Sequence, residues 1–415
     1  MDQSNIASII NHSHRISPEG SDTILGQSAH GDFHHNNNEN ILGPRIASRP
    51  RRNYYQPNKD MKKIHNFYAG PGKIPKQVLE RIEAELIDYQ GLGLSIMEIS
   101  HRAQPVLDLL ERTSEKIRRM LELDDDHVVL FLQGGGTMQF HMVPINLSTN
   151  HDPIDYVNTG YWSEKAIDTA KALGRDVHIA GYSHTSIPKE LDIRPHAKYL
   201  HLCSNNTVVG TQWKQFPMTN VPVIADMSSD LLGKKIDANK FGIIYAHAQK
   251  TIGAAGATVV IVSKSLLEKH QYDIPEFFSY RTHIAAGSNY HTPPVFAIYT
   301  IDCMLDWLEN EVGGIEAMEA MNHKKASHIY QWLDQSALFN CPIDMNSRSL
   351  MNIVFDSINE EIGKCFSMET EKEGFLGLIG HRKRGGFRAS LYNAVSAEDV
   401  SELVRFMHDF ESRYG

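Results

Sequence analysis

Six short, nearly continuous apolar runs constrain this chain most: HVVLFLQGGG (127–136), DYVNT (155–159), KYLHLC (198–203), VPVIADM (221–227), GIIYAHAQ (242–249) and ATVVIV (257–262). A strand that is apolar at successive positions has both faces to cover, which is the signature of a sheet buried between two layers. Helical spacing is predicted between and before these runs, at 137–145, 161–173, PKQVLERIEAELIDY (75–89) and QPVLDLLERTSEKIRRMLEL (104–123). Strands alternating with helices predict an α/β domain with a mixed or mostly parallel sheet, whose ligands sit outside the strand carboxyl ends. A helix-like stretch at 294–334 leads into a smaller α+β part. There MNIVFD (351–356) and GGFRASLY (385–392) read as strands, and SAEDVSELVRFMHDFESR (396–413) reads as a helix capped by Ser396 with Asp399 three residues on. The expected division is a large domain over 80–310 and a small one over 311–415.

Residues 1–60 read differently. The polar tract HGDFHHNNNEN and the basic stretch RPRRNYYQPNK offer too little apolar area to offset ordering entropy, so a disordered extension is expected. Histidines 12, 14, 30, 34 and 35 match no closed ligand spacing, and no metal is assigned to them. The segment balances six acids against six Arg and Lys, unlike acid-poor transit peptides, although organelle targeting stays open. Over all 415 residues, 41 Lys+Arg stand against 50 Asp+Glu, a net charge of −9 that argues against a nucleic-acid or anionic-membrane partner. Cys203, Cys303, Cys341 and Cys365 are scattered singly, with no disulfide framework or zinc spacing. The absence of an 18-residue apolar run and of a secretory pattern in MDQSNIASIINHSH makes a cytoplasmic setting the expectation.

Chemistry collects where the apolar runs end. Gly134-Gly135-Gly136-Thr137 joins a strand to a helix, where glycines let backbone N–H groups approach an anion and the helix terminus adds its dipole. Alone it is an ordinary glycine turn, without the spacing of a nucleotide P-loop or a dinucleotide fold. Asp226 ends VPVIAD, where an acid either caps the next element or faces a cationic ring nitrogen in a dry pocket. Lys250, in AHAQKTIGAAG, is either a solvated loop lysine or an amine that forms a Schiff base once desolvated. Trp162, in NTGYWSEKA, is either core or a flat surface for a planar ring. An amine for an aldehyde, a phosphate cradle, an acid for a pyridine nitrogen and a stacking surface are together what pyridoxal phosphate needs. The joint pattern is far more specific than any member.

These stretches resemble the phosphoserine aminotransferases, a family of class-V, fold-type I pyridoxal-phosphate enzymes. The similarity runs from about Ile64 to Gly415 through NFYAGPGKIP (66–75), GLGLSIMEISHR (91–102), GGGTMQF (134–140), NTGYWSEKA (158–166), IADMSSD (224–230), YAHAQKTIGAAG (245–256), HTPPVFAIY (291–299), RSLMNIVF (348–355) and GHRKRGGFRASLYNA (380–394). It implies a large, mostly parallel seven-stranded sheet domain with a smaller C-terminal α+β domain, on which residues 61–79 pack. It implies reversible amino transfer between L-glutamate and 3-phosphohydroxypyruvate, giving O-phospho-L-serine and 2-oxoglutarate in serine biosynthesis. The alternatives are an aminotransferase for another phosphorylated or dicarboxylic 2-oxo acid and, from a different class, a binding protein that keeps the fold without the activity.

Residue by residue, the resemblance gives Lys250 the Schiff base with pyridoxal phosphate and the proton transfer, Asp226 the pyridinium nitrogen, and Trp162 the ring stack. Thr207 falls near the cofactor O3′, and Gly136, Thr137 and Gln249 fall at its phosphate. His291 and Thr292 match a pair that reaches the cofactor phosphate of the neighbouring subunit, which implies a homodimer with composite sites and one cofactor per subunit. Arg388 matches the α-carboxylate ligand, while His101, Arg102, His381 and Arg382 match the cluster that takes the substrate phosphate or side-chain carboxylate. The chain departs from the pattern at His291, where asparagine is usual, and at Asn206, where glutamate is usual. Lys383 and Arg384 add positive charge beside the anion cluster, and Lys73 has no assigned role.

Overall fold

The computed structural model describes residues 62–415; the extension expected over residues 1–60 lies outside them. Seven strands form one sheet: β1 (His127–Leu132), β2 (Pro153–Asn158), β3 (Asp176–Tyr182), β4 (Leu200–Cys203), β5 (Val223–Asp226), β6 (Phe241–His247) and β7 (Thr258–Ser263). Their order is β1-β7-β6-β5-β4-β2-β3. Pairings along β6-β5-β4-β2-β3 are parallel, and β7 alone runs antiparallel, against both β1 and β6. The sheet is therefore mostly parallel, as the resemblance implies.

Period-two alternation divides each strand between two cores. Val129, Ala225, Ile244 and Ile261 face one core, together with Val78 of α1 (Lys76–Glu85) and Val106, Leu109 and Ile117 of α2 (Gln104–Met120). Leu130, Ile224, Ile243 and Val260 face the other, with Phe140 and Val143 of α3 (Gly135–Leu147) and Ile167 of α4 (Tyr161–Ala172). Removing one such side chain, as in Ile261→Ala, costs about 2–5 kcal/mol because a fully buried site collapses poorly. The edge strand β3 was not among the six runs. DVHIAGY is mostly half-exposed, so its apolar residues are interrupted and lack the signature of a buried strand.

The stretch 294–334 is not one helix. It forms α5 (Val295–Trp307), a widened turn at Leu308–Val312, and α6 (Ile315–Leu333). Gly313 and Gly314, both at φ +94°, break it, a left-handed conformation that favours glycine. Met318 of α6 packs in the first sheet core, whereas Ile329 and Leu333 pack in the core of the small lobe. That lobe holds β8 (Phe339–Asn340), β9 (Asn352–Ser357) and β10 (Phe387–Ser390) in one antiparallel sheet, with α7 (Glu360–Lys372) and α8 (Ala397–Tyr414). Ser396 and Asp399 cap α8 reciprocally. The arm from residue 62 joins the small lobe. His65–Asn66 pairs in parallel with Phe375–Leu376, Phe67 is buried in the lobe core, and Lys73 and His65 both bind Asp399.

Candidate active site

Five parallel strands and β1, which points the same way, deliver their carboxyl ends to one rim. After β1 the chain turns at Gly134 (φ +84°) and Gly135 (φ +65°) into α3. A Cβ on Gly134 would lie 2.5 Å from that of Met138, so the turn admits no larger residue. No side chain caps α3, which leaves the first-turn N–H groups, near Gly136 and Thr137, available to an anion.

Asp226, the last residue of β5, is buried, and burial pushes its pKa up while Lys250 and Ser228 oppose the shift. The Ser228 N–H donates to its Oδ1 at 2.9 Å. Its Oδ2 lies 3.7 Å from where a Cβ on Gly136 would stand, so the glycine keeps the space before the carboxylate open. An acid buried at that cost fits a cationic ring nitrogen, which would restore the favourable charge state.

Lys250 follows β6, with its Nζ 5.4 Å from the centre of the Trp162 ring. Trp162, in the first turn of α4, donates from Nε1 to Thr207 Oγ1 at 3.0 Å. Arg388, on β10, donates from Nη1 to Thr207 O at 2.5 Å, and its Nε is buried without a partner. Burial lowers the Arg388 pKa. His381 lies 5.0 Å from the Tyr161 ring, and burial followed by Arg388, Arg382 and Lys383 lowers its pKa. Gln249 backs onto the arm that carries Gly70 and Gly72. A Cβ on Gly70 would lie 3.4 Å from its Nε2, and its carbonyl accepts from Gly72 N at 2.7 Å. Lys250, Asp226, Trp162, Thr207, Gly136, Gln249, His381 and Arg388 thus converge at the boundary of the two lobes. A cavity of about 570 Å³, lined in part by Tyr161, His184, Lys383 and Arg384, opens beside them.

The remaining candidates gather elsewhere. His101 Nδ1 is 3.4 Å from Thr292 Oγ1, and its carbonyl accepts from Asn289 Nδ2 at 2.9 Å. Gln133 donates to Thr292 O at 3.0 Å. His291 packs 5.1 Å from the Phe277 ring and leaves a buried Nδ1 without a partner. Arg102 is exposed. Among the described residues no hydrogen bond, ion pair or ring contact joins His101 or Arg102 to His381 or Arg382, so the two His-Arg pairs do not meet within one chain.

Three departures acquire roles that differ from the expectation. Arg384 adds no free charge to the anion cluster, because it is held by Asp356 through paired bonds of 2.8 and 2.7 Å. Asn206 is buried and does more than remove a carboxylate. Its Nδ2 donates to Thr159 O at 2.8 Å and its Oδ1 accepts from Val208 N at 3.0 Å, a donor–acceptor pair that an ionised glutamate lacks. Lys73 binds Asp399. Sequence reasoning missed Tyr161, Gln133 and Tyr392. Tyr161 and Tyr392 lie inside recognised stretches and Gln133 adjoins one, but only the fold shows what they touch.

A family model described as aminotransferase class-V matches residues 64–403. The phosphoserine aminotransferases of Desulfosudis oleivorans and Desulfatibacillum aliphaticivorans are 47% and 48% identical over 359 and 358 residues, 85% of this chain and 99% of each relative. The solved phosphoserine aminotransferase from Bacillus circulans subsp. alkalophilus superposes with a TM-score of 0.83 at 43% identity, covering 85% of this chain and 99% of that one. The structure of pyridoxal-phosphate-bound phosphoserine aminotransferase from Trichomonas vaginalis superposes with a TM-score of 0.80 at 35% identity, covering 83% and 100%.

Proposed function

Because this chain belongs to the phosphoserine aminotransferase family of class-V, fold-type I pyridoxal-phosphate enzymes, we propose that it moves the amino group reversibly between L-glutamate and 3-phosphohydroxypyruvate, yielding 2-oxoglutarate and O-phospho-L-serine. The observation that carries the substrate reading is Arg388. A buried guanidinium with an unpartnered Nε, beside Thr207 and close to His381, is short of an acceptor that an amino acid α-carboxylate supplies.

In this reading Lys250, Asp226, Trp162 and Thr207 would hold pyridoxal phosphate, and Gly136, Thr137 and Gln249 would take its phosphate. When bound, it supplies an electron sink for charge developing at the substrate α-carbon. The protein's own residues do the rest. Arg388 would orient the substrate through its carboxylate, Trp162 would offer the ring a flat surface, Asp226 would supply a fixed negative charge, and the Lys250 amine would carry the α-proton. His381 and Arg382 hold the distal anion.

His101, Arg102, His291 and Thr292 complete the site from a second copy of the chain. Two features support this: the buried, unpartnered Nδ1 of His291, and the exposed apolar side chains Ile87, Leu92, Leu94 and Met97 in the segment leading to His101. A homodimer with one cofactor per subunit is therefore part of the proposal.

The test is the 300–500 nm absorbance of the protein with pyridoxal phosphate, titrated separately with O-phospho-L-serine and L-glutamate. Conversion of the cofactor band by both donors is expected. A band that responds to glutamate but ignores O-phospho-L-serine would move the assignment to another 2-oxo acid.

A further inference from the structure

Lys325 lies within α6, 1% exposed and outside every motif that carries the chemistry. Its Nζ donates to three main-chain carbonyls, Leu391 O at 3.1 Å, Tyr392 O at 3.1 Å and Val395 O at 2.9 Å. Burial pulls its pKa down to about 7, with Lys73 lowering it further and Asp399 opposing. Only the protonated amine has three hydrogens for three acceptors, so the carbonyl set favours the charged form. The arrangement is that of a monovalent cation bound by main-chain oxygens and tethered to a helix.

The turn organised by this ammonium reaches both flanks of Lys250. On one side Tyr392 donates to Ala69 O at 2.7 Å, and its ring would stand 2.8 Å from a Cβ on Gly72. Gly72 N in turn donates to Gln249 O at 2.7 Å, and a Cβ on Gly72 would lie 2.8 Å from Lys250 O. On the other side Asn393 Nδ2 donates to Leu232 O at 3.2 Å and Thr251 O at 3.5 Å. Asn322, one turn before Lys325 on α6, donates to Asn393 Oδ1 at 3.1 Å. One face of α6 therefore holds the turn, and the turn holds the main chain at residues 249 and 251.

We propose that Lys325 is a positioning residue for the reactive lysine: its ammonium acts as an internal cation that sets the Leu391–Val395 turn, and through Tyr392 and Asn393 this turn fixes the backbone on both sides of Lys250. The inference rests on Lys250 being the amine that holds the cofactor, and not on which oxo acid is the acceptor. Misplacing a reacting group by about 1 Å can cost on the order of a hundredfold, so a loosened anchor reads out in turnover before affinity.

The experiment compares Lys325→Met and Lys325→Ala with the unmodified protein, all loaded with pyridoxal phosphate and folded by circular dichroism. In both variants kcat with L-glutamate is expected to fall roughly tenfold with KM changed less than about twofold, and the pH midpoint of the cofactor absorbance band is expected to shift. Lys325→Ala leaves room for an external cation and is expected to recover in ammonium chloride but not in tetramethylammonium chloride at equal concentration. Lys325→Met fills the space and is expected to recover in neither. A folded Lys325→Met with unmodified kcat and pH midpoint overturns the proposal, as does equal recovery in both salts. If neither variant folds, Tyr392→Phe decides, since it keeps the cation and removes only the hydroxyl that reaches Ala69. A shift of its pH midpoint and kcat supports the proposal, and unchanged values overturn it. An unmodified protein that forms no absorbance band with pyridoxal phosphate would overturn the cofactor reading, and this inference with it.

Discussion

At the Lys250 centre, Asp226 and Thr207 are buried, Trp162 is bonded to Thr207, and Thr207 is bonded in turn by Arg388 from the other lobe. At the His101–Thr292 edge, Thr292 and Arg102 are exposed, the link from His101 to Thr292 is 3.4 Å long, and the buried Nδ1 of His291 has no partner. Both regions carry histidine, arginine and threonine suited to phosphate and carboxylate. The first is organised within one chain. The second presents its groups outward beside exposed apolar side chains. In the proposed reading, the contrast teaches that the proton-transfer groups are set when the chain folds, whereas the anion site begun by His381 and Arg382 is completed on assembly.

The sharpest way to break that contrast is Lys250→Ala. Removing the amine proposed to move the proton is expected to lower kcat by at least about a thousandfold and to abolish the cofactor absorbance band. Turnover near the unmodified rate would end the assignment of the inner centre. Asp226→Asn comes next, with a loss on the order of a hundredfold in kcat, since a fixed charge in a dry pocket is replaced by a neutral amide. Its KM for glutamate should change much less.

The outer cluster makes a different prediction. Arg102→Ala is expected to weaken kcat/KM for the phosphorylated acceptor by roughly 10- to 100-fold through the loss of a charge-assisted contact of about 1.5–3 kcal/mol. Unfolding and refolding Lys250→Ala together with Arg102→Ala then tests the division of labour. If Arg102 serves the neighbouring subunit, random dimers regain intact sites in about a quarter of positions, whereas sites built within one chain regain none.

The same division explains what could be read from the residues. Lys250, Asp226, Trp162 and the Gly134–Thr137 turn were legible because each ends a buried strand, and buried strands announce themselves as apolar runs. The edge strand Asp176–Tyr182 was not, since a half-exposed strand has no such run. Nor was the break at Gly313 and Gly314, where two glycines sit inside otherwise continuous helical spacing. Roles that depend on a partner far away in sequence were hidden altogether. Nothing in the order of residues links Arg384 to Asp356, Lys73 to Asp399, or Lys325 to the Leu391–Val395 carbonyls.

Asp399 sharpens the comparison from the stability side. Lys73, Ser396 and His65 hold its pKa down to about 2 against the penalty of burial. A carboxylate lowered from its ordinary value stabilises the fold above about pH 4, and that contribution is lost as pH falls towards 2. Asp399→Asn is expected to lower stability at neutral pH by about 1–2 kcal/mol and to flatten the acid limb of the unfolding curve. Cofactor binding at neutral pH should persist, because the arm keeps its bonds to the Lys250 centre, Gly72 N to Gln249 O and Tyr392 to Ala69 O, without the Asp399 pair. Loss of the cofactor band in the folded variant would show that those bonds do not seat the arm against Lys250 without Asp399.

The smallest effect concerns Arg384, on the turn that carries His381 and Arg382. Gly385 N and Arg384 N both donate to His381 O at 2.8 Å, and Gly380 N donates to Gly386 O at 2.8 Å, so residues 380–386 form a closed turn carrying His381 and Arg382. The turn is fastened to β9 by the Arg384–Asp356 pair, which passes so close to Gly386 (φ +62°) that a Cβ there would lie 2.1 Å from Asp356 Oδ1. A partly exposed pair of this kind contributes about 0.5–1 kcal/mol, so Arg384→Val should raise KM for the phosphorylated acceptor about threefold and leave kcat alone. Asp356→Asn separates two roles for the arginine. If the pair serves to hold the turn, this variant raises KM in the same direction. If Arg384 instead contributes charge to the substrate, releasing it from Asp356 lowers KM, and the anion site of the inner centre would extend one residue further than its geometry indicates.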